Sequence, residues 1–122
     1  MKRDKDLIRG ILLMIEERND VPPNTMKVED FLDVCDNPMI ISVHLDLLRD
    51  AGYLKLRELP KQGKYKRFEV IGITFAGYEY IDSVRSPTIW RNVKEKLSLV
   101  GGASLDIVKE VAIEEAKRML NI

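Results

Sequence analysis

One cysteine and one histidine stand among 122 residues, and both scarcities narrow what the chain can be. A lone thiol, Cys35, closes no internal disulfide, so a reducing, cytoplasmic setting is expected. One histidine and one cysteine cannot supply the nitrogen and sulfur ligands of a structural zinc site, so no metal is expected within one chain. Long apolar runs are missing too. The longest, Ile11 to Ile15, falls far short of the ~20 residues a membrane span needs, so no membrane contact is expected. Met1-Lys2-Arg3-Asp4-Lys5-Asp6 runs straight into a helical pattern, without the apolar core or cleavage site of a secretory leader. A glycine-rich phosphate loop is absent: Gly101-Gly102 has no lysine after it and no strand before it. No cofactor is expected.

Charge of one sign is also lacking overall, with 20 Lys and Arg against 20 Asp and Glu. The distribution is less even. Residues 21–52 carry Lys27 and Arg49 against Glu29, Asp30, Asp33, Asp36, Asp46 and Asp50, whereas residues 53–72 carry Lys55, Arg57, Lys61, Lys64, Lys66 and Arg67 against Glu58 and Glu69. Residues 1–20 and 73–122 each balance. Positive potential is therefore concentrated on one short stretch beside an acidic one.

What is present is periodicity. Leu7, Ile8, Ile11, Leu12 and Ile15 recur at helical spacing, so a first helix is expected from about Lys5 to Arg18. Asn19-Asp20-Val21-Pro22-Pro23-Asn24 is a cluster of breakers that ends it in a loop. Val28 to Val34 reads as a second, short helix with Val28, Phe31 and Leu32 buried. Asp36-Asn37-Pro38 offers a polar cap and a first-turn proline for a third, with Ile41, Leu45, Leu48 and Ala51 facing inward and His44 at the edge of that stripe. Gly52 suits the left-handed conformation that closes a helix.

Tyr53 to Leu59 and Tyr65 to Ile73 read as the strands of a hairpin around Pro60-Lys61-Gln62-Gly63-Lys64. Thr74 caps a fourth helix whose apolar side comes from Phe75, Tyr78, Ile81 and Val84, or from Ala76 with Tyr80. Gly77 inside it costs ~1 kcal/mol against alanine and points to a close backbone approach. Ser86-Pro87 opens a fifth helix to about Leu97, with Ile89, Trp90, Val93 and Leu97 on one side. Ser104 opens a last one from Leu105 to Leu120, along which Leu105, Val108, Ala112, Ala116 and Leu120 repeat.

Three helices, a hairpin and a further helix form an α+β, mostly helical arrangement, the order of a winged helix-turn-helix. Residues 1–84 are expected to make that domain, and residues 85–122 a C-terminal helical extension. The extension either packs back on the first domain or forms the interface of a homodimer, since Val111, Ile113 and Met119 widen its apolar face.

The residues carry two functional readings. In the first, the domain is a transcriptional regulator that binds double-stranded DNA. Lys55, Arg57, Lys61, Lys64, Lys66 and Arg67 neutralise phosphates, and Ser42 and Arg49 are the only groove-side donors on the third helix. Val43, Asp46 and Asp50, taken as outward positions of that helix, fit base reading poorly. In the second reading the domain is a non-enzymatic interaction module, and the acidic face around Asp46 and Asp50 meets a basic partner protein. The bland alternative for the hairpin is a solvated strand pair whose charges discourage aggregation. A Cys35–His44 nucleophile pair lacks an orienting partner and an oxyanion-hole signature, so no catalytic residue is expected. Paired carboxylates such as Glu16-Glu17 and Glu114-Glu115 fall on polar helix faces.

Two stretches carry a resemblance. His44 to Leu54 resembles the recognition-helix segment of ArsR-like and MarR-like regulators, and Ile73-Thr74-Phe75-Ala76-Gly77 resembles the start of the helix after their wing. Over nearly the whole length, Met1-Lys2-Arg3-Asp4, Ile73 to Asp82 and Thr88-Ile89-Trp90 with Val93-Lys94 resemble a small bacterial and prophage-borne domain-of-unknown-function family. The YjcQ-like proteins are a similar group. The resemblance implies a winged-helix fold and a phage-associated context, and it assigns no activity to any residue.

Overall fold

The structure, a computed structural model, describes residues 1–18 and 26–122. The expected breaker loop at Asn19 to Asn24 lies outside the described residues. Among the described residues there are five α-helices and a three-stranded antiparallel sheet: α1 (Lys5–Arg18), β1 (Met26–Lys27), a 3₁₀ turn (Val28–Phe31), α2 (Pro38–Asp50), β2 (Leu54–Leu59), β3 (Arg67–Ile73), α3 (Phe75–Val84), α4 (Pro87–Leu97) and α5 (Leu105–Leu120). The chain divides into two compact units, Met1–Tyr78 and Glu79–Ile122.

In the first unit α1 starts where Asp4 Oδ1 accepts from the Leu7 amide at 3.0 Å. Its Leu7, Ile8, Ile11, Leu12 and Ile15 are all buried. Each such aliphatic side chain removed from water contributes roughly 1.5–3 kcal/mol, so one face of this helix dominates its attachment. The next segment is tighter than expected. A 3₁₀ turn has three residues per turn, which brings Val28 and Phe31 onto one buried face and leaves Leu32 exposed.

Both ends of α2 are written in the sequence. Asn37 Oδ1 accepts from the Met39 and Ile40 amides at 3.0 and 3.4 Å, and Pro38 follows in the first turn. At the far end Gly52 takes φ +80°, its amide donating to Arg49 and that of Tyr53 to Leu48. These are the paired bonds of a Schellman closure, which satisfies carbonyls the helix would otherwise leave open. Ile41, Leu45 and Leu48 face inward as expected; Ala51, beyond the last turn, does not.

The sheet order is β1-β3-β2. β1 was not anticipated: two residues carry no alternation to detect. It pairs Met26 with Val70 and Lys27 with Glu69. β2 and β3 pair from Leu54↔Ile73 to Leu59↔Arg67, with a register shift at Lys55/Leu56 that places Ile71 outside the ladder and exposed. Tyr65 and Lys66 belong to the connecting turn.

Thr74 locks the end of the hairpin to the end of α2. Its hydroxyl donates to the Gly52 carbonyl at 2.5 Å and accepts from the Gly77 amide at 3.1 Å. Gly77 lies so close to the Tyr53 carbonyl that a Cβ there would overlap it, which is the close approach its place in a helix foretold. Phe75, expected inside, is 79% exposed, because the buried positions Gly77, Ile81 and Val84 run along the other side of α3.

In the second unit Ser86 and Ser104 cap α4 and α5, their hydroxyls each accepting from the amide three residues on at 3.3 Å. Trp90, Val93 and Leu97 of α4 and Leu105, Val108 and Ala112 of α5 are buried. Leu120, placed in the apolar repeat by spacing, is exposed at the end of its helix. No helix among the described residues is long and apolar enough to cross a membrane.

Candidate nucleic-acid interface

The eight residues picked out for DNA contact divide into three groups once their neighbours are known. Ser42 stands alone as a correction. Expected on the outward face of α2, it is 3% exposed, and its hydroxyl donates to the Lys66 carbonyl at 2.6 Å. It is a tie between helix and hairpin, not a donor free to reach a base.

Four cations are held by carboxylates. Arg57 Nη2 donates to both Glu69 oxygens at 3.0 Å, the two residues standing directly opposite in the β2–β3 register. Arg67 Nε lies 3.9 Å from Glu29. Arg49 Nη2 donates to Asp46 Oδ1 at 2.6 Å, its Nη1 lies 3.8 Å from Glu58, and its guanidinium sits 5.1 Å from the centre of the Phe68 ring. Lys66 Nζ donates to the other Asp46 oxygen at 3.4 Å. Exposed ion pairs of this kind are worth little individually, so these cations are neutralised more than they are immobilised.

Lys55, Lys61 and Lys64 remain. All three are exposed, and none has a carboxylate partner among the described residues. Lys61 and Lys64 flank Gly63, whose φ of +86° turns the chain at the hairpin tip. The base of that tip is anchored by Tyr65, whose hydroxyl donates to Glu29 Oε1 at 3.2 Å. Partial burial, then the negative Glu29, push the phenol above its ordinary value.

Sequence reasoning identified the cations but missed Asp46 as the residue that gathers two of them. The Asp46/Arg49 spacing of three is a helical pair visible in advance; the arrival of Lys66 is not.

His44 is more deeply placed than expected, 1% exposed. Nδ1 lies 2.8 Å from the Ile40 carbonyl, which can only accept, and Nε2 is 2.9 Å from the Asp4 amide, which can only donate. The ring therefore carries its proton on Nδ1 and leaves Nε2 bare. Both nitrogens are spent on backbone groups, and the Cys35 thiol is directed at the Asn37 carbonyl at 3.8 Å. That arrangement offers no general base to the thiol.

In the second unit Glu115 is buried yet ionic. Lys96 pairs with its carboxylate, and Arg118 Nη1 lies 3.5 Å away. The Lys96 hydrogen bond outweighs the desolvation that opposes it, holding the carboxyl below its usual range.

The described residues thus make an α+β, mostly helical protein with a small antiparallel sheet and a hairpin bearing three free lysines. Over residues 2–104 the chain matches a family model described as a hypothetical protein, DUF2513, and it belongs to that family. It is also similar to an uncharacterised protein of Haemophilus influenzae, 29% identical over 121 residues, which is 98% of this chain and 99% of the relative. No solved structure matches it.

Proposed function

We propose that the chain is a winged-helix regulator of phage or prophage type, within or near the YjcQ-like group, that meets double-stranded DNA with its hairpin. The element order α1, β1, short turn, α2, β2, β3 and the sheet order β1-β3-β2 support the winged-helix part of this reading. The observation that carries it is the state of the cations: Lys55, Lys61 and Lys64 have no carboxylate partner among the described residues, while α2 turns Val43, Asp46 and Asp50 outward and keeps Arg49 paired. A duplex would therefore be engaged through phosphates, with shape and charge deciding more than base edges.

The test is fluorescence anisotropy of a labelled duplex over a range of salt, with wild type beside the triple variant K55A/K61A/K64A. The expected log K falls with log salt at a slope of about −2.7 for three phosphate contacts at ~0.9 each, and the variant loses most of that slope. Absence of binding by wild type at low salt removes the DNA reading.

One observation favours a second reading. Met39 and Val43 are exposed on α2 between acidic positions, an apolar centre with a charged rim suited to a basic protein. Absence of duplex binding in the titration would leave this reading in place, and duplex binding that the three lysines alone control would make it unnecessary.

A further inference from the structure

Asp46 lies between one cation of α2, Arg49, and one of the hairpin, Lys66. One of its oxygens accepts from Arg49 and the other from Lys66, at 2.6 and 3.4 Å. Arg49 is itself stacked above Phe68, a fully buried ring, so its guanidinium rests on a fixed platform. An arginine nitrogen and a lysine converging on two oxygens, with the second guanidinium nitrogen 3.8 Å from Glu58, is an arrangement that suits a phosphate. Here a side chain of the same molecule fills it.

This carboxylate is not needed to hold helix and hairpin together. The Ser42 hydroxyl, buried, already ties α2 to the backbone of Lys66 at 2.6 Å. Nor is it sealed in: the Asp46, Arg49 and Lys66 side chains are 28%, 35% and 54% exposed. A pair at that exposure exchanges readily with another anion.

We propose that Arg49 and Lys66 form a phosphate seat that Asp46 occupies in the free protein, so that Asp46 is an internal competitor of the DNA backbone. The inference rests on the DNA-binding reading above and deepens it. In the free protein Asp46, with Glu58 3.8 Å from the other Arg49 nitrogen, offsets these two cations and they add little to long-range attraction. On a duplex, a phosphate takes the seat only by displacing a carboxylate that stays nearby and repels it. The seat thus tightens contact where the hairpin already lies against DNA and contributes little elsewhere.

The experiment compares wild type, D46N and D50N in the duplex titration. Asp50 is an exposed acid on the same helix with no cation partner among the described residues, so D50N reports the effect of removing charge alone. D46N is expected to bind about tenfold tighter at low salt. Its salt slope steepens by about one, as the one phosphate that the vacated seat takes contributes ~0.9. Adding R49A and K66A to D46N returns the slope to that of wild type. D46S, with the same loss of charge, serves if D46N does not fold.

Lysine-dependent binding by wild type with a D46N slope unchanged, or with D46N and D50N indistinguishable, overturns the phosphate seat and leaves the DNA reading standing. Absence of binding by both wild type and D46N at low salt overturns the two together.

Discussion

The two units tie down their buried polar groups in opposite ways. In Met1–Tyr78 the ties end on backbone: His44 on the Asp4 amide and Ile40 carbonyl, Ser42 on the Lys66 carbonyl. In Glu79–Ile122 the buried Glu115 is paired with the side-chain charges of Lys96 and Arg118. Backbone partners are neutral, so such ties barely respond to salt, whereas charged partners on long side chains are screened by it.

The sharpest way to break that contrast is Gly77→Ala. The added methyl would overlap the Tyr53 carbonyl, backbone that has no rotamer to escape into, so a loss of about 3 kcal/mol is expected in denaturant unfolding. An unchanged midpoint would mean that the α3–Tyr53 approach is not tight. His44→Phe is next. It removes the acceptor for the Asp4 amide and puts a larger ring into a buried site, which together cost about 2 kcal/mol. The loss should be the same at low and high salt, and a salt-dependent loss would contradict the backbone assignment.

The smallest effect at neutral pH is expected from Glu115→Gln, where the difference lies in the pH profile. Folding lowers the Glu115 pKa, so its contribution is complete above the unfolded value of 4.5 and disappears as pH falls through the lower folded value. Wild type should therefore lose stability below about pH 4.5 more steeply than the glutamine variant, as read by thermal melts on a pH series. Parallel profiles would show that Lys96 does not hold the carboxylate.

Much of the fold was legible because its signals are local. α1, α4 and α5 begin and end where spacing and caps place them, and Asn37-Pro38 and Gly52 bracket α2. What escaped depends on partners far along the chain. Nothing near Ser42 reveals that the turn at Lys66 will arrive beside it and take its hydroxyl. β1 is a strand only because Val70 and Glu69 are there to pair with it. Phe75 was assigned to the wrong side because α3 has apolar residues on both sides, so periodicity alone does not choose between them.

The site followed the same division. Its cations could be counted from the sequence, whereas which of them are free depended on register. Arg57 and Glu69 meet because they stand opposite on neighbouring strands, and Lys66 reaches Asp46 because the turn is tied to α2.

The self-contained caps have a consequence for the order in which the molecule forms. Asn37, Ser86 and Ser104 each settle a helix start within the next three residues, so those turns can form on the helix–coil timescale of about a microsecond. The sheet must wait for Met26 to find Val70 across most of the first unit, a closure of long range. Met26 and Lys27 therefore join the sheet after the self-capped helix turns have formed.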